Sequence, residues 1–468
     1  MNLLLKFSFF FLFVSMSYAN TVRNLVTLPK HFKVEDTFSG DLSEKESFHL
    51  IFSKNKQNRK NTVHSFIYDG KTITELQPFE SVEKYSLISF HKKQGILSLL
   101  LSYKEKNKEY IRRVDINLNT KEIKQETPFV HEDYLSSIRE NDRSILIYKT
   151  KEEITISQFI GINQPKKFTY TFRKKNDDYS TFFNENKLEA IKTNEFIANG
   201  STANFRVYFD ENHLIFTKES TSDNITNVVT VPLDEKDFIP SKIKTFTNKK
   251  ADGIYKKFTS FYFDSKIYQF GNDKKTGSIK IHHITTNKSK LINVDDSLSS
   301  KIKGNDAFAG VTAFLKQAGK NKHKTTITAN PTKNNKIKVR VDYVNIDYSY
   351  HYNWWWHHQQ FMMWQQQNMM RTIPSGFGPS QPNDIYFNTY TFAEEKRYFE
   401  ILLDSEGNLL NEELPETMYK EIDKKKYIEK LEEIKDFKYE SSCFLKNSFR
   451  FISYSRKQQG FIFQTNKL

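Results

Sequence analysis

Residues 87–129 carry the clearest fold signal in the chain: LISFHKKQGILSLLLSYKEKNKEYIRRVDINLNTKEIKQETPF. This segment contains four apolar stretches, rich in Leu, Ile, Val, Tyr and Phe, separated by short runs of Lys, Asn, Glu and Gly. Apolar stretches bounded by such turn residues are typical of β-strands joined by hairpins. The pattern therefore predicts four successive strands, at 87–90, 96–103, 110–118 and 122–129.

The same order of strands recurs along the first two thirds of the chain. Three further units of this kind lie at 135–172, 205–246 and 259–294, and a partial one lies at 48–78. Successive units are about 45–50 residues apart, except where an insertion around 173–203 lengthens the interval. A repeat of this length indicates that the chain stacks equivalent supersecondary units.

This spacing resembles that of β-propellers, in which each blade is a four-stranded antiparallel meander. The resemblance is architectural and covers about residues 40–300, without a WD signature, a Kelch glycine pair or a sialidase-type Asp-box. It implies a mainly β, six- or seven-bladed β-propeller-like fold with a helical insertion and a short C-terminal helix. Paired β-sandwiches or an irregular stack of meanders would have a similar strand pattern. In many propellers the first strand completes the last blade, and the resemblance assigns this role to residues 22–28.

The N-terminal 19 residues have the layout of a removable secretory signal peptide. Lys6 precedes a Phe/Leu-rich core, and Ser17 and Ala19 place small residues before the expected cleavage site. The apolar core is shorter than the roughly 20 residues that a membrane-spanning helix needs. The sequence therefore predicts a secreted or periplasmic protein with no transmembrane segment after cleavage.

The remainder is expected to divide into three parts. Propeller-like blades occupy 20–300, a helix and linker insertion occupies 301–335, and further blades occupy 336–468. A helix is predicted at 305–320, and a second one at 415–436, where a Pro at the start and apolar residues on one face favour it.

All four Trp of the chain and four of its seven Met lie in the segment 351–371. Four causes of this clustering remain open. They are a partner or self-association surface, a structural plug, copper capture, and contact with a glycan or membrane. The residues predicted to contact a partner are Trp354, Trp355, Trp356, Phe361, Met362, Met363, Trp364, Met369 and Met370. Under the copper hypothesis, the candidate metal ligands are His351, His357 and His358.

The chain is basic, with 71 Lys and Arg against 56 Asp and Glu, a formal net charge of +15. Its lysines are scattered through turns, which argues against a nucleic-acid stripe and favours a solvated surface. Attraction to anionic surfaces or polysaccharides is the sharper alternative. The lone Cys443 lies in an apolar run and is interpreted as a packing residue.

No nucleophile, zinc or phosphate-loop motif is present, and no catalytic residue is assigned. Asp342 and Asp347 are close in sequence but would point to opposite faces of a regular strand. The adjacent His282 and His283 would also point apart, one to the surface and one into the packing. The sequence therefore favours a binding or scaffold protein that uses segment 351–371. The alternative is an extracytoplasmic hydrolase that cleaves glycans or peptides at the central face of the propeller.

Overall fold

The computed structural model describes residues 24–140, 142–172, 177–234, 240–295, 298, 310–345, 398–434 and 436–468. The predicted signal peptide and the Trp/Met/His-rich segment 351–371 lie outside these described residues. Within them the chain forms seven small sheets, each a four-stranded meander or a five-stranded elaboration of one. The prediction of a mainly β, six- or seven-bladed propeller-like fold is confirmed, and the count is seven.

Blades 1 to 3 follow one another along the chain without interruption. Blade 1 contains β2 (Phe32–Asp41), β3 (Ser47–Asn55), β4 (Asn61–Tyr68), β5 (Ile73–Glu75) and β6 (Phe79–Ser81). Blade 2 contains β7 (Ser86–Lys93), β8 (Ile96–Glu105), β9 (Lys108–Asn117), β10 (Ile123–Gln125) and β11 (Phe129–Val130). Blade 3 contains β12 (Tyr134–Glu140), β13 (Arg143–Lys149), β14 (Glu153–Ile160) and β15 (Lys166–Thr171).

Blades 4 and 5 are separated from blade 3 by the expected insertion, which includes the short helix α1 (Asp178–Phe182). Blade 4 contains β16 (Glu189–Ile191), β17 (Phe205–Asp210), β18 (His213–Ser220), β19 (Ile225–Pro232) and β20 (Lys244–Thr247). Blade 5 contains β21 (Lys257–Phe263), β22 (Lys266–Asn272), β23 (Gly277–His283) and β24 (Ser289–Val294). Strand β16 pairs in parallel with β17, whereas the other pairings in these two blades are antiparallel.

Blades 6 and 7 are each preceded by a helix in the described part of the connection that leads to them. After α2 (Val311–Ala318), blade 6 contains β25 (His323–Pro331), β26 (Ile337–Asn345), β27 (Tyr398–Leu403) and β28 (Leu409–Leu410). After α3 (Lys424–Glu432), blade 7 contains β29 (Phe437–Leu445), β30 (Ser448–Ser455), β31 (Gly460–Lys467) and, from the start of the chain, β1 (Asn24–Val26).

Strand β1 closes the ring by joining the two ends of the described chain. It pairs antiparallel with β31, with Leu25 opposite Ile462. The assignment of residues 22–28 to the last blade is therefore confirmed over Asn24–Val26. As a result, blade 7 is built from both ends of the chain, and the ring cannot form until both are in place.

Apolar packing between neighbouring blades explains why the middle strands read as continuous apolar runs. In β8, Leu99 packs in a cluster shared with blade 1, whereas the adjacent Leu100 packs in a cluster shared with blade 3. A strand that is buried on both faces needs apolar residues at successive positions rather than at alternate ones. This packing is the physical cause of the Leu-rich run in blade 2.

Three details differ from the sequence-based expectations. The insertion 301–335, expected to be a helix and a linker, contains β25 after its helix, and the run of Thr residues hid the strand because hydroxyl side chains weaken an apolar pattern. The inner strand β2 was missed for the same reason, since it buries Thr37 and Ser39. The helix expected at 415–436 forms only as α3, because Met418 N donates to Pro331 O and holds the preceding backbone on blade 6.

Candidate functional site

The centre of the ring is crossed by residues 192–204, which we call the crossing segment. It begins at the end of β16, on the axial side of blade 4, and runs to the start of β17. Ile197 N donates to Asn330 Oδ1 (2.8 Å), and Asn330 Nδ2 returns a bond to Ile197 O (3.0 Å). Gly200 N donates to Thr326 Oγ1 (3.1 Å). The crossing segment therefore lies antiparallel along β25 and links blade 4 to blade 6 across the axis.

Six ionisable side chains meet where the crossing segment begins. They come from the ends of two inner strands, from the crossing segment itself and from the start of α3. We call this group the axial cluster, and it consists of Asp41, Arg139, Glu140, Lys192, Glu195 and Lys424.

Two short ion pairs organise the axial cluster. Arg139 Nη2 lies 2.7 Å from Asp41 Oδ1, and its guanidinium also lies over the ring of Phe90 at 4.2 Å. Lys424 Nζ lies 2.6 Å from Glu195 Oε2 and so joins α3 to the crossing segment. The side chains of Asp41 and Glu195 keep 37% and 30% of their surface exposed. Both carboxylates are therefore partly exposed to solvent.

The three carboxyl groups of the axial cluster differ in the direction in which their pKa values are shifted. Burial raises the pKa of Glu140, although Lys192 and Arg139 oppose this effect. Burial would also raise the pKa of Asp41, but Arg139 and Lys192 outweigh it and leave that pKa below its usual value. Glu195 behaves like Asp41, with Lys424 and Lys192 lowering its pKa against burial. The cluster thus combines two stabilised carboxylates with one carboxyl group that binds its proton more tightly.

A second polar group lies beside the axial cluster, on the face of blade 6 opposite to its apolar core. Arg340 Nε donates to Glu400 Oε1 and Arg340 Nη2 to Glu421 Oε1, both at 2.7 Å. The Arg340 guanidinium is stacked 4.1 Å from the ring of Tyr398 and 5.2 Å from that of Phe196 in the crossing segment. Arg340 therefore connects the hairpin β26–β27 to the crossing segment.

Among the described carboxyl groups, Asp342 has the pKa that is raised most. It is 3% exposed, accepts a hydrogen bond from Thr326, and has a pKa that burial raises to about 7. The hydrogen bond from Thr326 and the charge of Arg340 oppose this shift. Asp342 lies on β26 opposite Tyr398, beside the connection that contains segment 351–371. Its expected neighbour Asp347 lies outside the described residues.

The structure tests only some of the residues singled out from the sequence. The predicted contact residues in segment 351–371 and the candidate copper ligands His351, His357 and His358 lie outside the described part of the chain. His282 is buried against Gln269, whereas His283 is half-buried and accepts from Thr285 in a turn. Cys443 is buried, and burial raises the pKa of its thiol.

Two features are absent from the described residues. No group of three or more His, Cys, Asp or Glu side chains among them could hold a metal ion. No helix in the same part of the chain is long and apolar enough to cross a membrane.

Sequence reasoning missed the axial cluster because its members come from four separate regions of the chain. The only available signal was positional: Asp41 and Glu140 are the last residues of inner strands β2 and β12. Inner strands of a propeller run in the same direction, so their ends meet at one side of the axis. Without the correct bounds of β2, that signal could not be used.

No model of a known protein family and no curated protein sequence matches the chain. Among solved structures, the WD40 domain of SCAP from fission yeast is 9% identical with a TM-score of 0.29, covering 95% of this chain and 98% of that one. Kluyveromyces lactis Hsv2 is 8% identical with a TM-score of 0.31, over 93% and 98%. The GH43_1 enzyme from Xanthomonas citri complexed with xylotriose is 8% identical with a TM-score of 0.23, over 59% and 91%. These similarities are too distant to assign a function, so the function has to be inferred from the residues of this chain.

Proposed function

We propose that this chain is a secreted or periplasmic binding or scaffold protein that holds a protein partner, or a second copy of itself, through segment 351–371. The observation that carries the proposal is the register of the hairpin from which the segment departs. Strands β26 and β27 pair continuously from Ile337 opposite Leu403 to Asp342 opposite Tyr398. The described hairpin of blade 6 is thus complete without segment 351–371, as expected for an added contact element rather than for a plug.

The composition of the segment supports the same role. Trp and Met are enriched in the cores of protein interfaces because they provide large, adaptable apolar contacts. Exposing such apolar side chains to water is unfavourable, so a cluster of them on a protein surface usually marks a site that a partner covers. Two other uses of the segment stay predictions. One is a copper site at His351, His357 and His358, and the other is contact with a glycan or a membrane.

A hydrolase that acts at the central face is the second candidate, because the axial cluster separates the pKa values of its carboxyl groups. Glycoside hydrolases pair one carboxyl group of raised pKa, the general acid, with one that stays ionised. Glu140 has the first property, and Asp41 and Glu195 have the second. The ion pairs of Asp41 and Glu195 with cations argue for the binding role, since a paired carboxylate is a weaker base and nucleophile.

The test of the binding role replaces the tryptophans without changing the length of the segment. One variant changes Trp354, Trp355, Trp356 and Trp364 to Ser, and a matched control changes four glutamines of the same segment to Ser: Gln359, Gln360, Gln365 and Gln366. Both purified variants are expected to match the native protein in circular dichroism and melting temperature. Partner capture from the native envelope, followed by binding of the purified partner, or self-association in sedimentation, should be lost only in the Trp variant.

Two outcomes would contradict the binding role. If the Trp variant unfolds while the Gln control does not, the segment is part of the core. If both variants keep every partner, the contact lies elsewhere. The hydrolase alternative has its own test, in which Glu140→Gln should abolish turnover found in a glycan and peptide screen, whereas the exposed Glu75→Gln should not. Absence of turnover by the native protein would rule against this alternative.

A further inference from the structure

The face opposite the axial cluster carries a concentration of lysines on blades 4 to 6. In an antiparallel meander, the loops between second and third strands and the connections between blades lie on one face. Here that face lies at the start of the inner strands, whereas Asp41 and Glu140 lie at their ends. We call it the entry face. Because its lysines come from three separate segments, they look scattered in the sequence.

Ten lysines lie in these connections, or at the start of the strand that follows, on the described entry face of blades 4 to 6. Six of them are exposed and four are half-buried. The exposed ones are Lys249, Lys256, Lys274, Lys275, Lys316 and Lys322, and the half-buried ones are Lys250, Lys257, Lys320 and Lys324. We call this set the lysine face.

Contacts between the loops show that the lysine face is one surface. Lys257 Nζ donates to Asn321 O (3.3 Å), which joins the entry of blade 5 to that of blade 6. The backbone N of Lys256 donates to Asp273 Oδ1 (2.8 Å). A Cβ on Gly319 would lie 2.8 Å from the backbone N of Lys274, so these two loops are in direct contact. The lysines are therefore neighbours in space.

Few carboxylates compensate the lysine face. Asp223, Asp252, Asp273 and Asp295 are the acidic residues that its described loops contribute. Among the described residues, Lys250 is the only one of the ten with an ion-pair partner, Asp273 at 2.8 Å and Asp252 at 4.0 Å. Burial and the charge of Lys256 lower the pKa of Lys257, as expected where cations are crowded.

Blade 1 provides a contrast on the same side of the ring. There Lys60 lies 3.2 Å from Glu80, and Lys84 lies 3.2 Å from Glu35. Each of these two lysines has a carboxylate partner, unlike nine of the ten lysines of the lysine face. The exposed Lys54, Lys56 and Arg59 of blade 1 have no ion pair among the described residues, so the two regions differ in degree.

An apolar side chain projects from the middle of the lysine face. Ile254 is 46% exposed and directly follows a tight turn closed by the bridge between Lys250 and Gly253. Lys249, Lys250 and Lys256 flank it in sequence. An exposed aliphatic residue ringed by lysines can enter the headgroup region of a bilayer while the ammonium groups contact anionic lipids.

We propose that the lysine face docks the protein on an anionic phospholipid surface. Each lysine held near such a surface contributes on the order of 1 kcal/mol, so several together give stable, salt-sensitive attachment. Compact ammonium groups suit a laterally mobile layer of phosphates, whereas fixed bidentate recognition generally uses Arg. The exposed apolar residue of the described lysine face is aliphatic, whereas stacking on sugar rings needs an aromatic one. This docking does not depend on the partner proposed for segment 351–371.

The test measures cosedimentation of the full chain with vesicles. One set contains equal parts of phosphatidylglycerol and phosphatidylcholine, and the other contains phosphatidylcholine alone. The test variant carries Lys256→Glu, Lys274→Glu and Lys322→Glu, all at exposed positions. A matched control with the same change of net charge carries Lys71→Glu, Lys242→Glu and Lys288→Glu, exposed in loops on the opposite face.

The native protein is expected to bind the anionic vesicles and not the neutral ones. The test variant should lose at least about 100-fold in partitioning, since each lysine contributes about fivefold. The control variant should stay within about threefold of the native protein, because its altered loops face away from the bilayer. Equal losses in both variants would overturn the proposal, because they would reflect net charge alone. Retention on heparin without vesicle binding would also overturn it and would indicate an anionic polysaccharide.

Discussion

Replacing Gly200 by Ala tests whether the crossing segment is packed tightly against blade 6. An added Cβ at Gly200 would lie 2.7 Å from Ile327 O and 2.9 Å from Thr326 Cβ. Ordinary contact begins near 3.4 Å, so the crossing segment would have to move away from β25 by about 0.5–0.7 Å. One of the displaced atoms is backbone, which cannot rotate out of the way.

Two opposing effects determine how much Gly200→Ala changes the free energy of unfolding. Ala restricts the unfolded chain more than Gly does, which stabilises a protein by about 0.4–1 kcal/mol where the new methyl group fits. Overpacking a filled site costs about 1–3 kcal/mol. The free energy of unfolding of Gly200→Ala should therefore fall by roughly 1–2 kcal/mol rather than rise.

Urea unfolding followed by fluorescence measures the change in free energy, and hydrogen exchange locates it. The amides of Ile197 and Gly200, which donate to Asn330 and Thr326, should exchange faster in the variant. The amide of Leu99 in β8, remote from the crossing segment, provides an internal control and should keep its protection. A variant that is more stable than the native protein, with unchanged exchange at Gly200, would refute the packing of the crossing segment on β25.

Two further predictions concern buried ionisable groups. Glu219→Gln should lower the free energy of unfolding by about 3–5 kcal/mol, because it leaves Arg206, 1% exposed and 2.7 Å from Glu219, without its counter-charge. The exposed Glu44→Gln should change it by less than about 1 kcal/mol in the same urea titration, and a similar small effect for Glu219→Gln would contradict the prediction. Stability should also fall between pH 6.5 and 5, because burial lowers the pKa of four histidines and only the unfolded chain takes up their protons in that range. Asp342 has the opposite effect, because its folded pKa of about 7 lets the folded chain bind one proton that the unfolded chain does not bind in this range. A net difference of at most three protons makes the free energy of unfolding change by at most about 4 kcal/mol per pH unit. Urea midpoints that stay constant from pH 6.5 to 5 would contradict this expectation. The four histidines are His49, with a folded pKa of about 3, and His64, His91 and His282, each with about 4.

Features with a local cause could be predicted from the sequence, whereas features that need the ring could not. The strands of blade 2 were predictable because Leu99 and Leu100 pack against different neighbours and keep the run apolar. Strand β25 could not be predicted, because threonines take the place of apolar residues in its sequence. One of them, Thr326, finds its hydrogen-bond partners Asp342 and Gly200 only inside the fold.

The candidate site shows the same limit more sharply. Glu195 is an unremarkable loop residue in the sequence, and it acquires a partner only when α3 brings Lys424 to within 2.6 Å. The lysine face likewise depends on contacts such as that of Lys257 with Asn321. Such groupings follow from the order and orientation of the blades. Composition and periodicity contain no information about them.

Closure of the ring determines which side chains share the axis and which loops share a face. A cysteine pair at Leu25 and Ile462 tests it directly, since these partners in β1 and β31 come from opposite ends of the chain. Opposed residues of antiparallel strands have Cα atoms about 4.5–5.5 Å apart, within the range of a disulfide. The natural Cys443 is buried and should not compete. In a closed ring, Leu25→Cys with Ile462→Cys should form an intramolecular disulfide in the folded monomer, whereas Leu25→Cys with the out-of-register Gln458→Cys should not. Failure of the first pair to cross-link, or equal cross-linking of both pairs, would contradict the closed ring.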